Sequence, residues 1–124
     1  MRVLIVDDEA PARAKLRRML AAFDDIEVVA EAADGALALQ LVAQHAPDAV
    51  FLDIQMPELS GLDVAASLPD AAPALVFVTA FDRFALQAFD ANAVDYLLKP
   101  VEPERLARSV QKLRHRAGDR KSVV

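Results

Sequence analysis

Val50-Phe51-Leu52-Asp53-Ile54-Gln55-Met56-Pro57 is the stretch on which the fold of this chain turns. Three apolar residues, two of them strand formers, run directly into an aspartate. Met56-Pro57 and then Glu58-Leu59-Ser60-Gly61 follow, a composition that reverses the chain. Asp53 is therefore expected at the C-terminal end of a buried strand, where open α/β sheets place their ligand sites. A charge at such a place is costly unless something pairs with it. A lone aspartate at a strand end more often caps a helix or a turn. The other strand ends have to be read beside it.

Working outward, strand and helix signals alternate. Val3 to Val6 is a solid aliphatic run that stops at Asp7-Asp8-Glu9, and Pro11 then sits where a first helical turn accepts proline. Leu16, Met19, Leu20 and Phe23 fall at i, i+3, i+4 and i+7, one apolar stripe, with Arg13, Lys15, Arg17 and Arg18 mostly off it as a solvated basic face. Ile26 to Ala30 reads as a second strand, weakened by Glu27 and Glu31. A helix runs from Asp34-Gly35 to about His45, a residue suited to a helix C-terminus. Ala49 to Leu52 is the third strand and Leu62 to Leu68 a short helix before Pro69. Leu75 to Val78 is the fourth strand, ending in Thr79. Phe84 to Phe89 is a helix candidate, Val94 to Leu98 a fifth strand ending in Lys99-Pro100, and Glu104 to about Arg116 a last helix. Five β-α repeats of this kind predict a parallel sheet covered on both faces, and 124 residues suit one domain. The expected class is α/β, a flavodoxin-like doubly wound (βα)5 fold with strand order 2-1-3-4-5.

Composition narrows the function classes. The net charge of -5 argues against this domain gripping nucleic acid by itself, since phosphate backbones demand a basic face. With no cysteine, disulfides and thiolate metal sites are excluded. The opening apolar run is too short for a signal peptide, and nothing reaches the roughly 18 apolar residues of a membrane span.

In the expected topology the switch point lies between strands 1 and 3, so Asp7-Asp8 and Asp53 meet in one crevice. Converging carboxylates repel and raise one another's pKa, which invites a cation. Oxygen donors without Cys or His point to a hard ion such as Mg²⁺. The Thr79 hydroxyl and Lys99 ammonium project from the same sheet edge. Each has a simpler reading alone, Thr79 as a helix cap and Lys99 as a strand-end lysine. Together with a carboxylate nucleophile and a metal they form a set suited to accepting a phosphoryl group.

Leu4 to Glu9 (LIVDDE), Phe51 to Pro57 (FLDIQMP), Ser60 to Asp63 (SGLD), Val78 to Ala80 (VTA) and Asp95 to Val101 (DYLLKPV) together resemble a response-regulator receiver domain. The likeness covers about residues 1–117. Phe77 to Pro100, with its TAFDRFALQAF core, is similar to receivers of the LytR/AlgR group, which precede a LytTR DNA-binding domain. The resemblance implies that Asp53 is the phosphoacceptor for a sensor histidine kinase. It implies Mg²⁺ held by Asp7, Asp8, Asp53 and the Gln55 backbone carbonyl, with Thr79 and Lys99 on the phosphoryl oxygens. It implies a cis Lys99-Pro100 bond, Tyr96 as an aromatic switch moving with Thr79, and a cytoplasmic signalling role rather than that of an enzyme with its own substrate. Gln55 or Phe81 would shield the phosphate. Phe84, Leu86 and Phe89 exceed one core stripe, which allows either a well-buried helix or a homodimer face on the fourth helix, fifth strand and fifth helix.

After Leu106, Val110 and Leu113 the last stripe stops. Arg114 to Lys121 reads as a polar, basic linker, and residues 118–124 as a linker remnant leading to a LytTR-type domain absent from this chain, through which alone DNA would be bound. Val123-Val124 is expected to have nothing to pack on. A dehalogenase-type hydrolase would want a second acid where Gln55 stands. A pseudo-receiver would have lost an acid, the threonine or the lysine. A flavin-binding flavodoxin would not have an acidic loop after its first strand.

Overall fold

The computed structural model describes residues 1–69 and 73–122. Val123-Val124 lies outside the described residues. The strands are β1 (Arg2–Val6), β2 (Glu27–Ala32), β3 (Ala49–Leu52), β4 (Ala74–Thr79) and β5 (Asp95–Leu98). All pair in parallel, in the order β2-β1-β3-β4-β5. The helices are α1 (Ala10–Leu20), α2 (Gly35–His45), α3 (Gly61–Ser67), α4 (Ala85–Asp90) and α5 (Pro103–Ser122). The flavodoxin-like doubly wound topology follows from these pairings.

β1, β3 and β4 read as nearly continuous apolar runs because both of their faces are covered. Side chains alternate along β1, with Val3 and Ile5 entering one core with Leu16 and Leu20 of α1 and Leu106, Val110 and Leu113 of α5. Leu4 and Val6 enter the other, with Ala38 of α2, Val64 of α3 and Ala88 of α4. Two helix starts are written locally. Asp34 caps α2 by accepting from Leu37 N–H at 2.8 Å. Ser60 and Asp63 form a reciprocal capping box at α3.

Boundaries differ from expectation where tertiary contacts override local signals. β2 continues through Glu31 to Ala32 because it is an edge strand, and Glu31 turns outward to ion pairs with Arg13 and Arg17 of α1. Those two arginines are thus engaged rather than merely solvated. Phe23 lies beyond the end of α1 yet still packs on the core. The fourth helix begins as a 3₁₀ turn, Asp82–Phe84, before α4 proper. Phe84 is half-buried against the core, so it leaves the exposed apolar set to Leu86 at 72% and Phe89 at 78% exposure. Beyond Leu113, where its stripe stops, α5 remains helical through Ser122. The last helix therefore runs past its expected end near Arg116, and the segment from Arg114 to Lys121, read as a polar, basic linker, is helical. Among the described residues, no helix is long and apolar enough to cross a membrane.

Candidate functional site

Backbone hydrogen bonds tie the C-terminal end of β1 to both of its neighbours, β3 and β2. Asp53 N–H donates to the Val6 carbonyl at 2.9 Å, and Asp7 N–H donates to the Ala32 carbonyl at 3.1 Å. Both aspartates are buried, each 5% exposed, whereas Asp8 faces solvent. Carboxylate oxygens of Asp7, Asp8 and Asp53 all lie within 4.8 Å of one another. Oxygen donors only, two of them buried and one open to water, fit a hard divalent cation that keeps several waters.

β5 brings the counter-charge. Leu98 pairs with Thr79, and Lys99 N–H donates to the Thr79 carbonyl at 2.8 Å. The Lys99 ammonium then reaches Asp7 at 2.8 Å and Asp53 at 3.4 Å. The Lys99–Pro100 peptide bond is cis. Asp7 also accepts from Glu9 N–H at 2.9 Å, so its two oxygens are divided between lysine and loop.

Burial pushes the Asp53 carboxyl up to about 6. Lys99 opposes that rise, and Asp7 adds to it. A backbone hydrogen bond from Gln55 holds it down. For Lys99, burial works against the charge, but the hydrogen bond and charge of Asp7 together with Asp53 outweigh it and raise its pKa. Both partners of the Lys99–Asp53 pair thus move up. The closer contact explains this, because the lysine belongs chiefly to Asp7 and leaves Asp53 under-compensated.

Thr79 is fully buried and its Oγ1 accepts from Phe81 N–H at 3.3 Å. It caps no helix, since the next helical turn has Phe81 at its N-cap. The Tyr96 hydroxyl donates to the Phe81 carbonyl, so Phe81 joins Thr79 to Tyr96. The Gln55 side chain is exposed at the rim, as is Phe81 at 36%.

Two contributors are not apparent from residue type. Arg13 donates to the Asp7 carbonyl at 2.7 Å and braces the acidic loop. Gly61 donates its N–H to the Ile54 carbonyl at 2.8 Å, and a Cβ there would stand 2.2 Å from the Asp53 carbonyl oxygen. The signal for Gly61 was a glycine at a helix start just past the acidic strand end. Arg13 carried none, because an arginine on a helix face is ordinarily solvated.

The profile of the response regulator receiver domain matches residues 3–111. The chain belongs to the response-regulator receiver family. It is 50% identical over 119 residues to a response regulatory protein of Vibrio cholerae, covering 94% of this chain and 50% of that one. It is 50% identical over 115 residues to the transcriptional regulatory protein BtsR of Salmonella typhi, covering 92% and 48%. This receiver chain spans about half the length of the curated relatives it matches. Among solved structures it is similar to the receiver domain of AraT from Geobacillus stearothermophilus, with TM-score 0.87, 35% identity and 98% of each chain covered. The response regulatory domain of mrkE from Klebsiella pneumoniae gives TM-score 0.86 and 35% identity, covering 93% of this chain and 96% of that one. The chain is the receiver domain of a two-component response regulator, and its acidic pocket is the cluster of Asp7, Asp8 and Asp53.

Proposed function

We propose that Asp53 accepts a phosphoryl group from a sensor histidine kinase. The observation that carries this reading is a buried carboxylate, only partly neutralised by Lys99, beside two further carboxylates. Even without metal, where burial pushes the Asp53 carboxyl up to about 6, it is largely ionised at pH 7 and so available as a nucleophile. As its oxygen bonds to phosphorus, the phosphorus–nitrogen bond of the donor phosphohistidine breaks and the imidazole leaves. Asp7, Asp8, Asp53 and the Gln55 carbonyl would hold Mg²⁺, which supplies charge neutralisation for the phosphoryl oxygens. Lys99 and the Thr79 hydroxyl bind those oxygens.

Thr79 gives up Phe81 N–H when it turns to the phosphoryl group. Because Tyr96 is hydrogen-bonded to the same Phe81, its ring follows, and this is the switch. The test is intact mass after acetyl phosphate treatment. One phosphoryl group is gained with Mg²⁺ and none with EDTA; gain in EDTA would remove the metal from the scheme.

The TAFDRFALQAF segment supports a LytR/AlgR-type regulator whose receiver spans residues 1–117 and whose residues from 118 lead to a LytTR DNA-binding domain. The names and lengths of the relatives are compatible with a transcriptional output. The setting would be cytoplasmic, with the kinase as partner and DNA reached only through that output domain.

Leu86, Phe89 and Leu98 (47% exposed) support a homodimer on the α4-β5-α5 face after phosphorylation. The double variant Leu86→Asp, Phe89→Asp is expected to take phosphate normally and to sediment as a monomer under conditions where the wild type dimerises. A variant that still dimerises would place the interface elsewhere.

A further inference from the structure

Asp95 is a buried acid outside the acidic pocket, and the phosphoryl chemistry makes no use of it. Its carboxylate is gripped by both arms of Arg105, Nη1 on Oδ2 and Nη2 on Oδ1, each at 2.7 Å. The buried Ser109 hydroxyl donates to Oδ2, and Lys112 lies 3.2 Å from Oδ1. These three partners all belong to α5, so the acid fastens the beginning of β5 to the last helix.

The neighbouring residue is what raises this above an ordinary ion pair. Among the described residues β5 is the last strand of the sheet, so one edge has no partner strand. An open edge leaves N–H and C=O groups without ladder partners. At Tyr96 both are occupied: its N–H donates to Asp95 Oδ1 at 2.9 Å, and its carbonyl accepts from Arg105 Nη2 at 3.3 Å. The backbone of Tyr96 is thereby clamped on the side facing α5, while its hydroxyl is bonded to the Phe81 carbonyl. Phe81 N–H in turn holds Thr79. A continuous hydrogen-bonded path runs from Ser109 and Arg105 through Asp95, Tyr96 and Phe81 to Thr79.

We propose that Asp95, held by Arg105 and Ser109, is a positioning residue that fixes the Tyr96 backbone, aims its ring at the β4–α4 loop and ties its movement to α5. This rests on the reading of Tyr96 as the switch. An anchor for α5 alone would need the ion pair but not the two bonds to the Tyr96 backbone.

The chain contains one tyrosine and no tryptophan, so tyrosine fluorescence reports Tyr96 alone. The test compares acrylamide quenching of that fluorescence in wild type, Arg105→Lys and Ser109→Ala, before and after acetyl phosphate with Mg²⁺, with intact mass recorded in parallel. Arg105→Lys keeps the charge but loses the two-armed grip. Asp95→Asn would leave two cations facing a neutral group and is the variant most prone to misfold, so it is not the deciding one. Loss of a hydrogen bond to a charged group moves a local equilibrium by about tenfold. Arg105→Lys is therefore expected to accept phosphate on Asp53 as the wild type does, with a higher resting quenching constant and a smaller change on phosphorylation. Ser109→Ala should move both readouts the same way, by less. A lowered Tm with wild-type quenching in both states would overturn the proposal and leave Asp95 an anchor for α5. If wild-type fluorescence itself ignores phosphorylation, the switch reading fails, and the resting quenching comparison still decides whether Asp95 positions Tyr96.

Discussion

Asp53→Asn is expected to take up no phosphoryl group and, without metal, to be more stable than the wild type by about 2 kcal/mol at pH 7. Removing the acceptor oxygen accounts for the first effect. The second follows from burial, which pushes the Asp53 carboxyl from an ordinary 3.8 up to about 6. The folded chain therefore binds this proton more tightly than the unfolded chain does. Stability falls as pH rises from about 4 to about 6 and stays lowered above that. The shift alone corresponds to about 3 kcal/mol. Losing the 3.4 Å contact with Lys99 removes part of it, although Lys99 keeps its closer partner Asp7. The advantage of asparagine should be absent below about pH 4, grow to about pH 6 and then level off. Denaturant titrations across pH in EDTA measure it. An asparagine variant equal to or weaker than the wild type at pH 7 would mean that Lys99 fully compensates Asp53, and normal labelling would remove Asp53 as acceptor.

Gly61→Ala is expected to cost about 3 kcal/mol or more and to impair phosphorylation by displacing the acceptor. The added methyl would meet the Asp53 carbonyl oxygen at 2.2 Å, its carbonyl carbon at 2.9 Å and the Ile54 Cα at 2.9 Å. These are backbone atoms, so no side-chain rotation relieves the overlap. Either α3 lifts, breaking the Gly61–Ile54 hydrogen bond, or the end of β3 shifts and takes Asp53 with it. Thermal unfolding and the acetyl phosphate labelling rate read the two effects. Gly118→Ala is the control, because among the described residues a Cβ there meets nothing within 4 Å. A Gly61→Ala variant with wild-type Tm and labelling would show that the α3 start adapts freely.

The periodic elements were legible because the hydrophobic effect acts on patterns that any reader can see. β3 falls on Ala49–Leu52, as read, since a strand buried on both faces is written as an apolar run that ends where the charge begins. Asp34 and Ser60 likewise act locally, capping the helices they precede. β2 was harder. Its glutamates look like interruptions until the strand is known to lie at the sheet edge, with α1 arginines within reach. The length of α5 past Leu113 was hidden for a related reason, because its last turns carry no apolar stripe to mark them.

The sequence by itself determined the order of strands and helices, the acids and the lysine at strand ends, and so the kind of chemistry the site can host. Those depend on residue type and near-neighbour spacing. Only the tertiary structure decided that Lys99 lies closer to Asp7 than to Asp53, that Arg13 braces the Asp7 loop, and that Gly61 has no room for a methyl group. It also decided that Asp95 and Arg105 close the sheet edge at Tyr96. Each of these depends on distances of a few ångströms between segments far apart in the chain, and such distances are set by how the sheet and helices pack.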